Sequence, residues 1–445
     1  MKTFCVILLF IFLSCLPVNA CHTPARSAVM GKLYPDMDFA KMMHDAHNQV
    51  YTGYQFKEPQ ICLNGFADIY PCDNVNLMGH VDLLTLGGGQ GADSWGWKDE
   101  KSNRYFALVG RSTGTSFVEI TDPSSPVFLG TLPSEVGSST WRDIKTYKNH
   151  AFIVADNIGN HGMQVFDLSQ LLSVINPPKV FSANHVYKGG NPTAFRDAHN
   201  VVINQQTGFA YLVGSNTCNG GLHMVNINNP LKPSFAGCFS SDGYTHDAQC
   251  LTYQGPDADY KGKELCFASN EDTVTVVDVT VKNNPTQVSR TGYTGSQYTH
   301  QGWLTEDQRY FVIDDELDER NLNQNTRTMV MDFKDIDNPV YIGYHESTGD
   351  SIDHNQYIVG SHTYQANYSR GLRILELGDL SEPEMKEVGF FDTYPDGDGR
   401  GFPGAWNVYP FFDNGIVIVS DINRGVFILQ PQLPEVDLIF MNGLE

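Results

Sequence analysis

Thr299-His300-Gln301-Gly302-Trp303-Leu304 is one of seven related openings along the chain, and these openings decide the fold. The others are Ser94-Trp95, Thr140-Trp141, Ala198-His199-Asn200, Thr245-His246-Asp247, Asp353-His354-Asn355 and Ala405-Trp406-Asn407. Each sets a Trp or His beside polar residues. A short β-branched or aromatic run follows most of them, as in Tyr105–Gly110, Ala151–Asp156, Phe209–Gly214, Tyr310–Asp314 and Gly415–Ser420. An alternating run comes next, as in Met163–Asp167, Leu222–Asn226, Val274–Asp278, Met329–Asp332 and Leu372–Glu376. Such runs, each ended by a turn residue, read as β-strands. The openings recur at intervals of 46 to 58 residues. That is the length of one four-stranded propeller blade, so the chain reads as all-β, a single seven-bladed β-propeller.

The ends of the repeat point to closure. The seventh unit starts at Trp406 and stops near Gln430, with only three strands of pattern. At the other end, Leu77–Leu86 resembles Val127–Leu132, the outer strand of the first unit. An N-terminal strand that completes the last blade closes the ring and removes its open edges. The propeller is therefore expected over 77–430. A short N-terminal extension, 21–76, would carry helical turns around Met37 to Val50 and a Cys62/Cys72 loop. A tail, 431–445, follows.

Residues 1–20 read as a secretory signal peptide: Lys2, an apolar run from Phe4 to Leu13, then small residues before Cys21. The expectation is a secreted, extracellular protein with no transmembrane segment. Val18-Asn19-Ala20-Cys21 also resembles a bacterial lipoprotein site, which would anchor the chain through a lipid on Cys21. Of nine cysteines, six fall into near neighbours, and the simplest pairing is Cys62–Cys72, Cys218–Cys238 and Cys250–Cys266. None has zinc-knuckle spacing, so disulfide staples are favoured over metal ligands. Asn367-Tyr368-Ser369 is a glycosylation sequon. The formal charge of −22 disfavours nucleic acid and anionic membranes as partners. An extracellular protein, a glycan or a mineral surface is the class of partner that remains.

Gly79-His-Val-Asp-Leu-Leu, Asp93-Ser-Trp-Gly-Trp, Trp141-Arg-Asp-Ile-Lys, His161-Gly-Met-Gln-Val-Phe-Asp, Thr245-His-Asp-Ala-Gln-Cys and Thr299-His-Gln-Gly-Trp-Leu together resemble the choice-of-anchor B family. The strands are similar to LVIVD repeats. The resemblance covers about 77–430 and implies a propeller fold and export. It brings no catalytic residue with it.

Two chemistries are candidates. His199, His246, His300 and His354 open four successive units, so their imidazoles should meet at one end of the central channel, where they would suit a transition metal ion. Asn200, Asp247, Gln301 and Asn355, one residue on, would orient them. In the other reading these histidines, like Trp95, Trp141 and Trp406, tie neighbouring blades through hydrogen bonds to backbone. Acidic clusters offer Ca2+ sites: Asp392, Asp396 and Asp398 alternate with turn residues, and Asp314, Asp315 and Glu316 follow a strand directly. Asp257 and Asp259 lie in a loop between Cys250 and Cys266. There is no nucleophile elbow, zinc-protease motif, phosphate loop or dinucleotide fingerprint, and Gly87–Ala92 reads as a flexible crossing.

The functions compatible with these features are an extracellular binding or matrix module, a metalloenzyme with a four-histidine site at the axis, and a hydrolase or lyase using Asp247 or Asp143 with a channel histidine.

Overall fold

Seven four-stranded antiparallel meanders are arranged around one axis in the computed structural model, which describes residues 58–190 and 194–433. Blades 1 to 7 have as their inner strands Gly91–Asp99, Arg142–Tyr147, Asn200–Asn204, Asp247–Thr252, Thr299–Leu304, Gln356–Val359 and Ala405–Tyr409. Each inner strand packs against the next, and the last returns to the first. The seven-bladed ring is therefore closed. The signal peptide and the proposed helical turns of 37–50 lie outside the described residues, as does the tail from 434 onward.

Closure is made as the repeat implied, with shifted bounds. Val75–Val81 forms the outer strand of blade 7, pairing with Gly425–Pro431; Leu77 faces Leu429 and Val81 faces Val426. The strand ends at Val81 rather than at Leu86, because Asp82 caps a turn by accepting the Thr85 N–H at 2.8 Å. Gly425 sits at the other end of this pairing with φ +106, where a Cβ would come within 2.2 Å of the Val81 carbonyl oxygen. Only glycine fits that approach without strain.

Residues ahead of the closing strand also join the ring. Phe66–Ala67 and Tyr70–Asp73 form a hairpin that extends blade 6, with Cys72 opposite Phe391. The Cys62–Cys72 disulfide ties that hairpin to the segment before it. Cys218–Cys238 joins the loop after the second strand of blade 3 to its outer strand, and Cys250–Cys266 links directly opposed residues in blade 4. All three expected pairs are present.

The apolar core is divided among the blade interfaces. Each junction holds its own cluster, for example Phe152, Val165, Val201 and Leu212 between blades 2 and 3, or Leu265, Phe267, Phe311 and Met331 between blades 4 and 5. The cluster between blades 5 and 6 is small: Val312, Val330, Ile358, Leu375, Leu380 and Met385. Here buried polar groups fill the space. Gln301 and Gln356 exchange amide hydrogen bonds at 3.0 Å, Thr363 donates to Gln356 at 2.9 Å, and Gln365 donates to Thr328 at 2.8 Å.

Candidate metal centre at the channel mouth

The four histidines stand where the inner strands begin. In blade 5 the ladder skips a residue between Thr299 and Gln301, so His300 is bulged out of register. A bulge of this kind redirects a side chain. His199 and His246 precede the first ladder residues of blades 3 and 4, and His354 lies two residues before the inner strand of blade 6. Their rings form an arc with successive centroids 4.3 Å apart, from His199 to His246, His300 and His354. Trp406 continues the arc, 4.7 Å from His354.

Hydrogen bonds to backbone carbonyls fix which nitrogen carries the proton in His300 and His354. His354 Nδ1 lies 2.6 Å from the Trp406 carbonyl, an acceptor only, so it is an N–H donor. His300 Nδ1 donates to Asp314 Oδ1 at 3.0 Å and to the His354 carbonyl at 3.1 Å. His199 Nδ1 donates to Asp156 at 2.9 Å. His246 Nδ1 lies 2.8 Å from the Tyr298 hydroxyl, a contact in which either group can donate. The neutral rings of His300 and His354 therefore have their lone pairs on Nε2. Burial brings the His300 pKa down to about 4 and holds that of His354 well below its ordinary value, so both are neutral near pH 7.

Those two lone pairs face a carboxylate. Glu316 Oε2 is 4.0 Å from His300 Nε2, and Glu316 Oε1 is 3.8 Å from His354 Nε2. The three ligand atoms lie within 4.8 Å of one another, and all three residues are buried. Tyr368 donates to Glu316 at 2.6 Å and steadies it. Two imidazole lone pairs and a carboxylate repel one another at these distances. A divalent cation between them removes the repulsion.

The neighbouring residues play other parts than the sequence suggested. Asn200, Gln301 and Asn355 do not hold the rings; they donate to the His246, Gln356 and Trp406 carbonyls of the next blade. Asp247 accepts its own Ala248 N–H. At Asn200, Gln301 and Asn355 the side chain one residue past the opening reaches sideways along the ring, so it ties blades together. The histidines do both jobs: Nδ1 of His300 and His354 binds the next blade, and Nε2 faces Glu316.

Trp95 and Trp141 do not share the level of the histidines. The hydrogen-bond pattern places Ala92 and Arg142 there, because Asp93 and Asp143 accept from Ile144 and Val201 just as Gln301 accepts from Gln356. Trp95 instead matches Trp303, Tyr357 and Tyr409, and with Phe411 these rings pack together farther along the channel.

Asp314 and Asp315 are committed to protein donors. Asp314 accepts from His300, Gln301 and Gln356, and Asp315 from Gln297, Tyr298 and Tyr293. Asp392 caps the Tyr394 N–H, Asp396 pairs with Arg424 at 2.7 Å, and Asp398 is exposed, so these three do not converge. Asp257 does meet Asp335 and Asp337, in an exposed loop cluster where all three accept hydrogen bonds. Asn367 of the sequon is buried.

Asp156, Tyr298 and Tyr368 were not legible as site residues. Asp156 had a signal, since an Asp ends or directly follows the second strand in His150–Ala155, Tyr310–Asp315 and Val417–Asp421.

The fold and this site define a seven-bladed β-propeller with a histidine-lined channel mouth. No family model matches the chain, and no curated protein matches it in sequence, so the resemblance to choice-of-anchor B proteins gains no family match. Solved structures similar to it include a periplasmic gluconolactonase of Pseudomonas aeruginosa, at 12% identity and TM-score 0.46, covering 74% of this chain and 98% of that one. Kuenenia stuttgartiensis hydrazine synthase matches at 11% identity and TM-score 0.47, over 75% and 93%. A computationally designed protein, Ika8, matches at 10% and 0.46, over 80% and 93%. Likeness at this level gives no chemistry.

Proposed function

We propose that this chain is an exported metalloprotein whose activity centres on a divalent transition metal at the channel mouth. His300, His354 and Glu316 would hold the ion, with His246 and His199 next along the arc. The observation that carries this reading is the facing of two neutral imidazole nitrogens and one buried carboxylate at 3.8 and 4.0 Å. Each ring is already oriented through Nδ1, the outer-shell device that protein metal sites use. An imidazole-rich set with one carboxylate suits Fe, Zn or Cu. A bound ion with an open position supplies Lewis-acid or water-activating chemistry.

Export rests on the N-terminal signal pattern and the three disulfides. No helix among the described residues is long and apolar enough to cross a membrane. The binding-module reading draws on the acidic composition, which names no ligand; the axial site does. The hydrolase or lyase reading through Asp143 is less favoured, because that carboxylate is paired with Lys145 at 2.5 Å and accepts the Val201 N–H.

Metal analysis of the purified chain tests the proposal. Wild-type protein should carry close to one transition-metal ion per chain, and His300→Ala with His354→Ala should lose it. Glu316→Gln, nearly isosteric, should lower occupancy while leaving the circular dichroism spectrum unchanged. Wild-type protein that neither carries nor takes up such a metal would refute the reading.

A further inference from the structure

The three candidate ligands are closed off from solvent. Side-chain exposure is 2% for His300, 5% for His354 and 4% for Glu316. An ion held there can be loaded, or can meet a substrate, only if some element at the mouth moves. Residues 396–403 are placed to be that element. They cross from the outer strand of blade 6 to the inner strand of blade 7 without helix or strand. Asp396 pairs with Arg424 at 2.7 Å at one end, and the Gly404 N–H donates to Asn423 at 3.0 Å just past the other. In between, Ser369 donates to the Gly399 carbonyl at 2.9 Å, and Phe402, 1% exposed, packs on Tyr368 with ring centroids 5.3 Å apart. Tyr368 is the residue that donates to Glu316, and its ring lies 4.8 Å from that of His354. The segment therefore covers the side of the site on which Glu316 and His354 stand.

Arg400 ties this segment to blades 5 and 6. Its guanidinium donates to Asn323 Oδ1 at 2.6 Å and to the Gln324 carbonyl at 3.2 and 3.3 Å, and it lies 3.3 Å from Asp350 Oδ2. Asn323 and Gln324 follow the short helix Asp318–Leu322, just beyond Glu316, and Asp350 lies shortly before His354. One side chain thus joins the segment to both stretches of chain that carry the ligands. Arg400 and Asp350 are 27% and 40% exposed, and an ion pair so open to water is weak and screened by salt. The backbone beside Arg400 is free to swing. Gly399 takes φ +136, and at Gly397 and Gly399 an added Cβ would meet no atom within 4 Å apart from the chain neighbours.

We propose that residues 396–403 form a lid over the metal centre, latched by Arg400. Release of the latch lifts Phe402 from Tyr368 and opens the way to Glu316 and His354, while the paired ends of the segment stay in place. The proposal rests on the metal-centre reading and adds how that centre is reached. Arg400 is a positioning residue in this scheme. In the closed state it keeps Phe402 against Tyr368, and so keeps the Tyr368 hydroxyl on Glu316.

The test uses full-length protein loaded with Zn2+ and then challenged with excess chelator. Asn323→Ala combined with Asp350→Ala removes the side-chain partners of Arg400 and touches no candidate ligand. This variant should release zinc about tenfold faster than wild type from the same starting occupancy, the factor expected for losing roughly one net hydrogen bond to a charged group. An unchanged release rate would overturn the lid and put the entry on the side of His199, whose side chain is 13% exposed. Trypsin supplies a second readout that needs no metal. The variant keeps Arg400, and the Arg400–Gly401 bond is cut from the open population, so cleavage there, followed by mass spectrometry, should rise by a similar factor. Equal cleavage in the two proteins would also overturn the lid. If wild type takes up no metal, faster cleavage in the variant still upholds the lid while the metal-centre reading falls. Should the double variant fail to fold, Arg400→Lys takes its place, since it keeps a trypsin site and loses the planar fork, and the same two outcomes decide.

Discussion

Lys145 carries its ammonium into the channel wall, 2.5 Å from Asp143, 3.4 Å from Asp93 and 4.5 Å from the centre of the Trp95 ring. Burial works against the charge, but Asp143 and Asp93 hold the lysine well above its ordinary pKa. Asp93, the more distant carboxylate, is itself pushed up by burial. Replacing one member of such a group leaves uncompensated buried charge. Lys145→Met is therefore expected to destabilise the fold by about 3–5 kcal/mol. Urea denaturation measures this, and a loss below about 1 kcal/mol would show that Lys145 is not needed to neutralise the channel.

At the scale of elements, the closing strand Val75–Val81 has the largest structural role for its length. Leu77 is fully buried against Leu429, Val417 and Phe427, at the junction of blades 6 and 7. Leu77→Ala should cost about 2–5 kcal/mol, the range for a large-to-small change in a packed core. A matching substitution at exposed Leu84 should leave the melting temperature nearly unchanged. Hydrogen exchange gives a sharper readout. In the Leu77→Ala protein, amides of Gly425–Pro431 should lose protection before those of blade 3, because strand pairing at the closure is what holds the seventh blade. Uniform loss of protection would mean that the ring opens elsewhere.

For the whole molecule, pH dependence follows from buried acids. Glu271 is pushed up to about 7 by burial and by Asp272, and burial raises Asp392 and Asp421 to about 6 each. A carboxyl whose folded pKa is raised binds its proton more tightly folded than unfolded, so it favours folding at low pH and loses that contribution as pH rises through the folded value. Metal-free protein should therefore gain stability from these groups on going from pH 8 to pH 5. Depressed histidines such as His223, brought to about 4 by burial, act in the opposite sense between about 6.5 and 4 and limit the gain at the acid end. Glu271→Gln should flatten the profile between pH 4.5 and 7. Thermal melts across that range check it, and an unchanged slope would remove Glu271 from the explanation.

Strand character depends on neighbours two residues apart, and a blade on a repeat of about fifty, so the propeller and its seven units are written locally in the sequence. The disulfide pairs were legible for the same reason, since each joins cysteines 20 or fewer residues apart in the chain. The histidine arc was legible because His199, His246, His300 and His354 occupy one repeat position. Tertiary structure decided what those residues face. Glu316 meets His354 only because a loop of blade 5 leans over the start of blade 6, a contact no local period encodes. The level of Trp95 also depended on the fold: bulges shift the inner strands by whole residues, and only the cross-blade hydrogen bonds of Asp93 and Asp143 show where each opening lies. A repeat determines which residues are equivalent, whereas the closed ring determines which of them become neighbours.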